Sequence, residues 1–139
     1  MTYPEKLSYL RSYRESLRRE RVLMEQVAQL RDEAGRLTQA LTGMPGSHSS
    51  GSGALPRAVE RILEAQQELD AEALRCQALR AQVQATVDAL PDPLQRDILT
   101  RRYLLGQRWE RIAADNHRDL RWVFRLYRRA VDALTIESH

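Results

Sequence analysis

Apolar residues recur at Leu23, Val27, Leu30, Ala34, Leu37 and Leu41, in alternating steps of four and three. Leu10, Tyr13 and Leu17 carry the same rhythm upstream, with a slip of phase near Leu23–Met24. Charged residues and glutamine fill most of the positions between. A stripe this narrow predicts a long helix of the coiled-coil kind over residues 1–42, rather than the broad apolar face of a globular helix. Gly35 costs about 1 kcal/mol relative to alanine but does not end the pattern.

A second stripe starts after Pro56, which suits a first helical turn. Ile62, Leu69, Cys76, Val83 and Leu90 form one row at seven-residue spacing, and Val59, Gln66, Ala73, Arg80 and Val87 form the other. Gln66 and Arg80 weaken this seam and help to set its register. Cys76, in the apolar row, reads as a small buried hydrophobe. Residues 56–90 are thus a second coiled-coil helix. Between the two lies 43–55, rich in glycine and serine, a flexible linker. It lacks the Gly-Lys-Ser/Thr closure and preceding strand of a phosphate cradle.

Each helix has one apolar stripe, so neither is stable alone. The linker lets them fold back as a long antiparallel hairpin, with residue i of the first arm facing roughly residue 99 − i of the second. That register brings Tyr9 and Tyr13 beside Thr86–Leu90, where the N-terminal tyrosines can pack on the C-terminal domain. A parallel homodimer through the same seams is the competing arrangement. On this reading a charge placed at Val83 opens the hairpin and leaves the C-terminal fold standing.

Residues 91–139 change character. Two prolines in Leu90–Pro93 stop the second helix. Leu94, Ile98, Leu99 and Arg102–Leu104 have helical spacing, which Leu105-Gly106-Gln107 breaks. Trp109, Ile112 and Ala113 predict a short helix, Asn116-His117-Arg118 a turn, and Asp119 the N-cap of a last helix over 120–135. Val123, Leu126, Ala130, Ala133 and Leu134 form its core face, with Val123 and Leu126 directed at Ile112 and Leu99. Trp109 is expected in the core and Trp122 half-buried. The fold class is therefore all-α: a long antiparallel hairpin followed by a small three-helix domain with helix-turn-helix spacing.

Charge sharpens this division. Residues 1–93 carry 12 basic and 13 acidic side chains, whereas residues 94–134 carry 10 arginines against five acids. Five of the eight aromatic residues lie in the same C-terminal third. A small arginine-rich domain with its own core fits a polyanionic partner. In a recognition helix whose N-terminal part enters the major groove, Leu120, Arg121 and Arg125 would read bases. Arg108, Arg111, Arg118, Arg128 and Arg129 would contact phosphates, which position a protein without reading sequence.

The run from Leu90 to Leu134 resembles region four of sigma factors. The shared features are a leucine-bearing helix ending in Arg102-Tyr103, a glycine turn, the Trp109-x-x-Ile112-Ala113 helix, and a last helix ending in Ala130-x-x-Ala133-Leu134. The whole layout, including Gly43-Met44-Pro45-Gly46 in the linker, is similar to small phage and prophage regulators of Gram-positive bacteria, of the RinA/ArpU late-activator type. Asp119 departs from the Ser or Thr usual at the cap. It still caps, but its charge opposes a nearby phosphate. Leu120 is an unusual base reader, suited to a thymine methyl. The resemblance implies a DNA-binding transcriptional regulator that lacks the promoter-melting part of a sigma factor, with the helical arms used for dimerisation or for RNA polymerase.

A DNA-packaging factor of the small-terminase kind and a purely structural coiled-coil adaptor are the alternatives. An enzyme is not expected, since these helices supply no catalytic triad, carboxylate pair or cofactor loop. One cysteine and three scattered histidines suggest neither metal nor cofactor. The absence of a long apolar run or an apolar leader points to a cytoplasmic protein of a bacterial host cell, without a membrane or a small-molecule substrate as partner.

Overall fold

The computed structural model describes residues 1–42 and 53–137, so the Gly/Ser linker expected at 43–55 lies almost wholly outside the described residues. The protein is all-helical. α1 spans Tyr3–Thr42 and α2 Ala54–Asp88; α3, Pro93–Leu99, runs on as a π-helical turn, Thr100–Leu104; α4 spans Trp109–Asp115 and α5 Leu120–Ala133. Among the described residues no helix is long and apolar enough to cross a membrane.

Local sequence sets the ends of these helices. Thr2 and Glu5 form a capping box at the start of α1: the Glu5 N–H donates to Thr2 Oγ1 at 3.3 Å and the Thr2 N–H to Glu5 Oε2 at 3.2 Å. Asp92 caps α3 by accepting the Leu94 amide at 2.9 Å, with Pro93 in the first turn. Arg96 donates to the Leu90 and Pro91 carbonyls at 2.6 and 3.1 Å, satisfying oxygens that the end of α2 leaves open.

The chain divides into two compact units, one of Arg18–Leu74 and one of Met1–Leu17 with the chain from Arg75 on. In the first unit, segments of α1 and α2 pair antiparallel. Arg31 Nη2 donates to Gln66 Oε1 at 3.1 Å, and Arg19 Nε lies 3.7 Å from the Glu72 carboxylate. Leu23 and Val27 are buried along the expected stripe, whereas Met24, at the phase slip, is exposed. Gln66 keeps its amide satisfied by also donating to Asp70 at 2.9 Å, which makes a polar seam position tolerable.

The second unit is built around the base of both long helices. Leu10 and Tyr13 of α1 meet Cys76, Val83 and Val87 of α2, and Leu90 just after it, in one buried cluster. That cluster continues without a break into Leu99, Tyr103 and Leu104, and into Ala130, Val131 and Leu134. Tyr9 shares a 3.0 Å hydrogen bond with Thr86, within the Thr86–Leu90 stretch expected beside Tyr9 and Tyr13. α2 begins two residues before the expected start, at Ala54. The second seam row also differs from expectation. Val59 and Arg80 are exposed and Leu79 packs on the cluster instead, because burying an unpaired guanidinium costs far more than turning the helix face by one residue.

A smaller cluster, of Ile98, Ile112, Ala113 and Val123, holds α3, α4 and α5 together. Leu99 was the expected partner of Val123; Ile98 takes that place and Leu99 joins the larger cluster. At the end of α5, Val131 is buried and Ala133 exposed, the reverse of the expected face. Tyr127 packs against both clusters.

Candidate nucleic-acid interface

The connection between α4 and α5 is two caps placed back to back. After Asn116, His117 takes a left-handed backbone with φ of 55°. The Arg118 N–H donates to the Ala113 carbonyl at 2.9 Å and the His117 N–H to the Ala114 carbonyl at 3.0 Å, the hydrogen-bond pair of a Schellman motif. Asp119 then starts α5, its carboxylate accepting the Trp122 amide at 2.9 Å. Four residues thus join the two helices, with caps at both ends. Ala113 and Ile112, both buried, let α5 approach α4 through Val123.

A second clip reaches α4 from the preceding helix. Arg101 donates to Asp97 at 2.9 Å, to Asp115 at 2.9 Å and to Gln107 at 3.3 Å. Asn116 Nδ2 donates to the Ile112 carbonyl at 2.8 Å and to Asp97 at 3.4 Å. The sequence reading did not single out Arg101. Its partner Asp115 is fourteen residues away, and the only local signal is the four-residue spacing from Asp97. Gly106 ends the π-helical turn with φ of 70°, and the Arg14 guanidinium sits where a side chain would project.

With its inner face fixed by Val123, Ala130 and Val131, α5 turns Leu120, Arg121, Phe124, Arg125, Arg128 and Arg129 to solvent. Leu120 is 37% exposed in the first turn. Arg121 and Arg125 lie one turn apart, and among the described residues neither takes part in an ion pair or side-chain hydrogen bond. Phe124, 46% exposed between them, was not foreseen as part of this face; its ring meets Trp109 edge-on at 5.3 Å. Over its length α5 carries four arginines and one acid, Asp132.

The arginines expected to meet phosphates are placed in different ways. Arg108 is the exposed N-cap residue of α4. Arg111 is exposed and 3.6 Å from Asp115, a surface pair that binds it weakly. Arg118 stacks over the Trp122 ring at 5.1 Å, which accounts for the half-buried tryptophan. Arg128 lies over the ring of Tyr3 at 5.1 Å, and Arg129 is exposed beside it. Trp109 is half-buried rather than fully in the core, with Arg102 stacked over it at 4.5 Å and Tyr127 edge-on at 4.7 Å.

Behind this face Tyr103 and Tyr127 share a hydroxyl–hydroxyl hydrogen bond of 2.5 Å. Burial pushes both phenols above the usual tyrosine range, Tyr127 the further, and for Tyr127 the bond to Tyr103 adds to the shift. Among the described residues no group of three His, Cys, Asp or Glu side chains could hold a metal ion. No protein-family model, curated protein or solved structure matches the chain.

Proposed function

We propose that this protein is a sequence-specific transcriptional regulator of the phage type, laying α5 in the major groove of double-stranded DNA. The observation that carries the reading is the pair Arg121 and Arg125. They stand exposed and one turn apart near the start of a helix that follows a four-residue turn, with no carboxylate engaging either among the described residues. A guanidinium free of ion pairs keeps both of its parallel donors for guanine O6 and N7. The exposed Arg108, Arg118, Arg128 and Arg129 add the positive charge that non-specific attachment to a duplex requires.

The two long helices supply a protein-contact surface, for a second copy or for RNA polymerase. Val22, Met24, Leu63 and Leu74 are each more than half exposed in the Arg18–Leu74 unit and are the apolar side chains such a partner would meet there.

Titration of the full chain into labelled random-sequence duplexes tests the reading. With five phosphate-directed arginines, the logarithm of affinity should fall against the logarithm of salt with a slope of about −4 to −5. Repeated selection from the same pool should enrich a defined site. Failure to bind any duplex at low salt would sink the reading. Binding without sequence enrichment would turn it toward the packaging alternative.

A further inference from the structure

The phosphate-directed arginines differ in how they are held, and one of them is held from the far end of the chain. Arg101 spends its donors on Asp97, Asp115 and Gln107. Arg128 spends its charge on a ring instead: its Cζ lies 5.1 Å from the centre of Tyr3. A cation over an aromatic face is held by the ring quadrupole, so the N–H donors stay available for oxygen acceptors.

Tyr3 is itself fixed. It follows the capping residue Thr2, so the Thr2–Glu5 box orders the turn it belongs to. Its ring packs, with the Leu7 side chain, against the larger buried cluster. Three residues further on, Lys6 Nζ donates to the Asp132 carbonyl at 3.0 Å, near the end of α5. The first two turns of α1 are thereby tied to the last turns of α5 at two points, within one compact unit.

We propose that Tyr3 is a positioning residue for duplex binding, its ring holding the Arg128 guanidinium in place to meet a DNA backbone phosphate. The inference rests on the reading of α5 as a DNA-binding helix and deepens it: the binding surface includes the N-terminal turn of α1, more than a hundred residues away in sequence. A flexible arginine must give up rotamer freedom when it grips a phosphate. One already stacked on a ring has given up much of it beforehand.

The test compares full-length wild type with Tyr3→Ala, Tyr3→Phe, Arg128→Ala and the double variant Tyr3→Ala/Arg128→Ala on one random-sequence 25-base-pair duplex across a salt series. Tyr3→Ala should weaken binding about threefold at an almost unchanged salt slope, because Arg128 keeps its charge, whereas Arg128→Ala should make the slope shallower by about 0.9, the value of one phosphate contact. Tyr3→Phe, which keeps the ring, should bind as wild type. On the Arg128→Ala background Tyr3→Ala should cost nothing further.

Melting temperatures measured alongside separate positioning from folding. Equal losses from Tyr3→Ala with and without Arg128 would mean that Tyr3 acts only through stability and would overturn the proposal. If wild type binds and Tyr3→Ala leaves affinity untouched, the proposal fails while the DNA-binding reading stands. If wild type binds no duplex, both fail.

Discussion

The carboxylate of Asp119 accepts the backbone N–H of Trp122 at 2.9 Å, so the residue that starts α5 puts a negative charge at the end of the helix proposed to approach DNA. Two effects compete there. The cap satisfies one of the amides that a helix N-terminus leaves open, and its loss costs about 1 kcal/mol. The charge meanwhile repels an incoming phosphate. Asp119→Ser should separate them: the hydroxyl still caps, the melting temperature holds within a few degrees, and duplex affinity rises at low salt. Asp119→Ala should destabilise by about 1 kcal/mol. If the serine variant bound DNA no better than wild type, Asp119 would not lie near the phosphate backbone.

Arg121 and Arg125 are expected to affect selectivity rather than attachment. Each alanine substitution should reduce affinity for a selected site by about 1–3 kcal/mol, the discrimination carried by one bidentate base contact. Affinity for random duplex should change much less. The measurement is a pair of titrations per variant, selected site against scrambled sequence. Equal losses on both would assign these arginines to phosphates, and α5 would have to lie differently on the duplex.

The Tyr103–Tyr127 pair gives a pH prediction with a definite sign. In the unfolded chain a tyrosine loses its proton near pH 10. In the folded protein both phenols hold theirs to higher pH, because burial disfavours the phenolate. Above pH 10 the unfolded state therefore binds fewer protons than the native one, and stability falls as pH rises. Below it these two groups make stability independent of pH. Thermal melting from pH 8 to 11 should show a plateau and then a decline. Tyr127→Phe should lower the plateau by about 1 kcal/mol, the worth of the lost hydrogen bond. It should also make the decline shallower, since Tyr127 has the larger shift. A decline equally steep in Tyr127→Phe would place its origin elsewhere.

Periodicity revealed the features that depend on local spacing. The α1 stripe from Leu23 to Leu41, the cap at Asp119 and the turn before α5 all follow from residues within one or two turns of each other. The misplaced faces have a common cause. Arg80 and Leu79, and Leu99 and Ile98, are successive residues on their helices, and a shift of about 100° in the packing face exchanges them. Such a shift depends on what the neighbouring element presents. The Arg101 clip, the Lys6 contact to Asp132 and the stacking of Arg128 on Tyr3 join residues distant in sequence, and no periodicity records them. On the candidate interface itself, the exposed side of α5 was legible from its arginine spacing, whereas Phe124 within it and Tyr3 beside it were not.

Val83 tests how far the C-terminal helices depend on the long ones. Taken as a separate segment, residues 91–139 should survive a charge introduced into the hairpin seam. The packing argues otherwise. Val83 is fully buried in the same cluster as Leu10, Leu99, Tyr103 and Val131, so α5 rests on α1 and α2 as well as on α3 and α4. An aspartate there would bury an unpaired charge or force the cluster open, at a cost of several kcal/mol. Both tryptophans, Trp109 and Trp122, lie among the C-terminal helices, so their fluorescence follows that part of the chain alone, while far-ultraviolet circular dichroism is dominated by α1 and α2. In urea, Val83→Asp should move the tryptophan transition to markedly lower denaturant. A tryptophan transition identical to wild type, with the dichroism signal alone displaced, would show instead that the C-terminal helices form an independent domain, and the role given to the N-terminal turn of α1 would lose its structural basis.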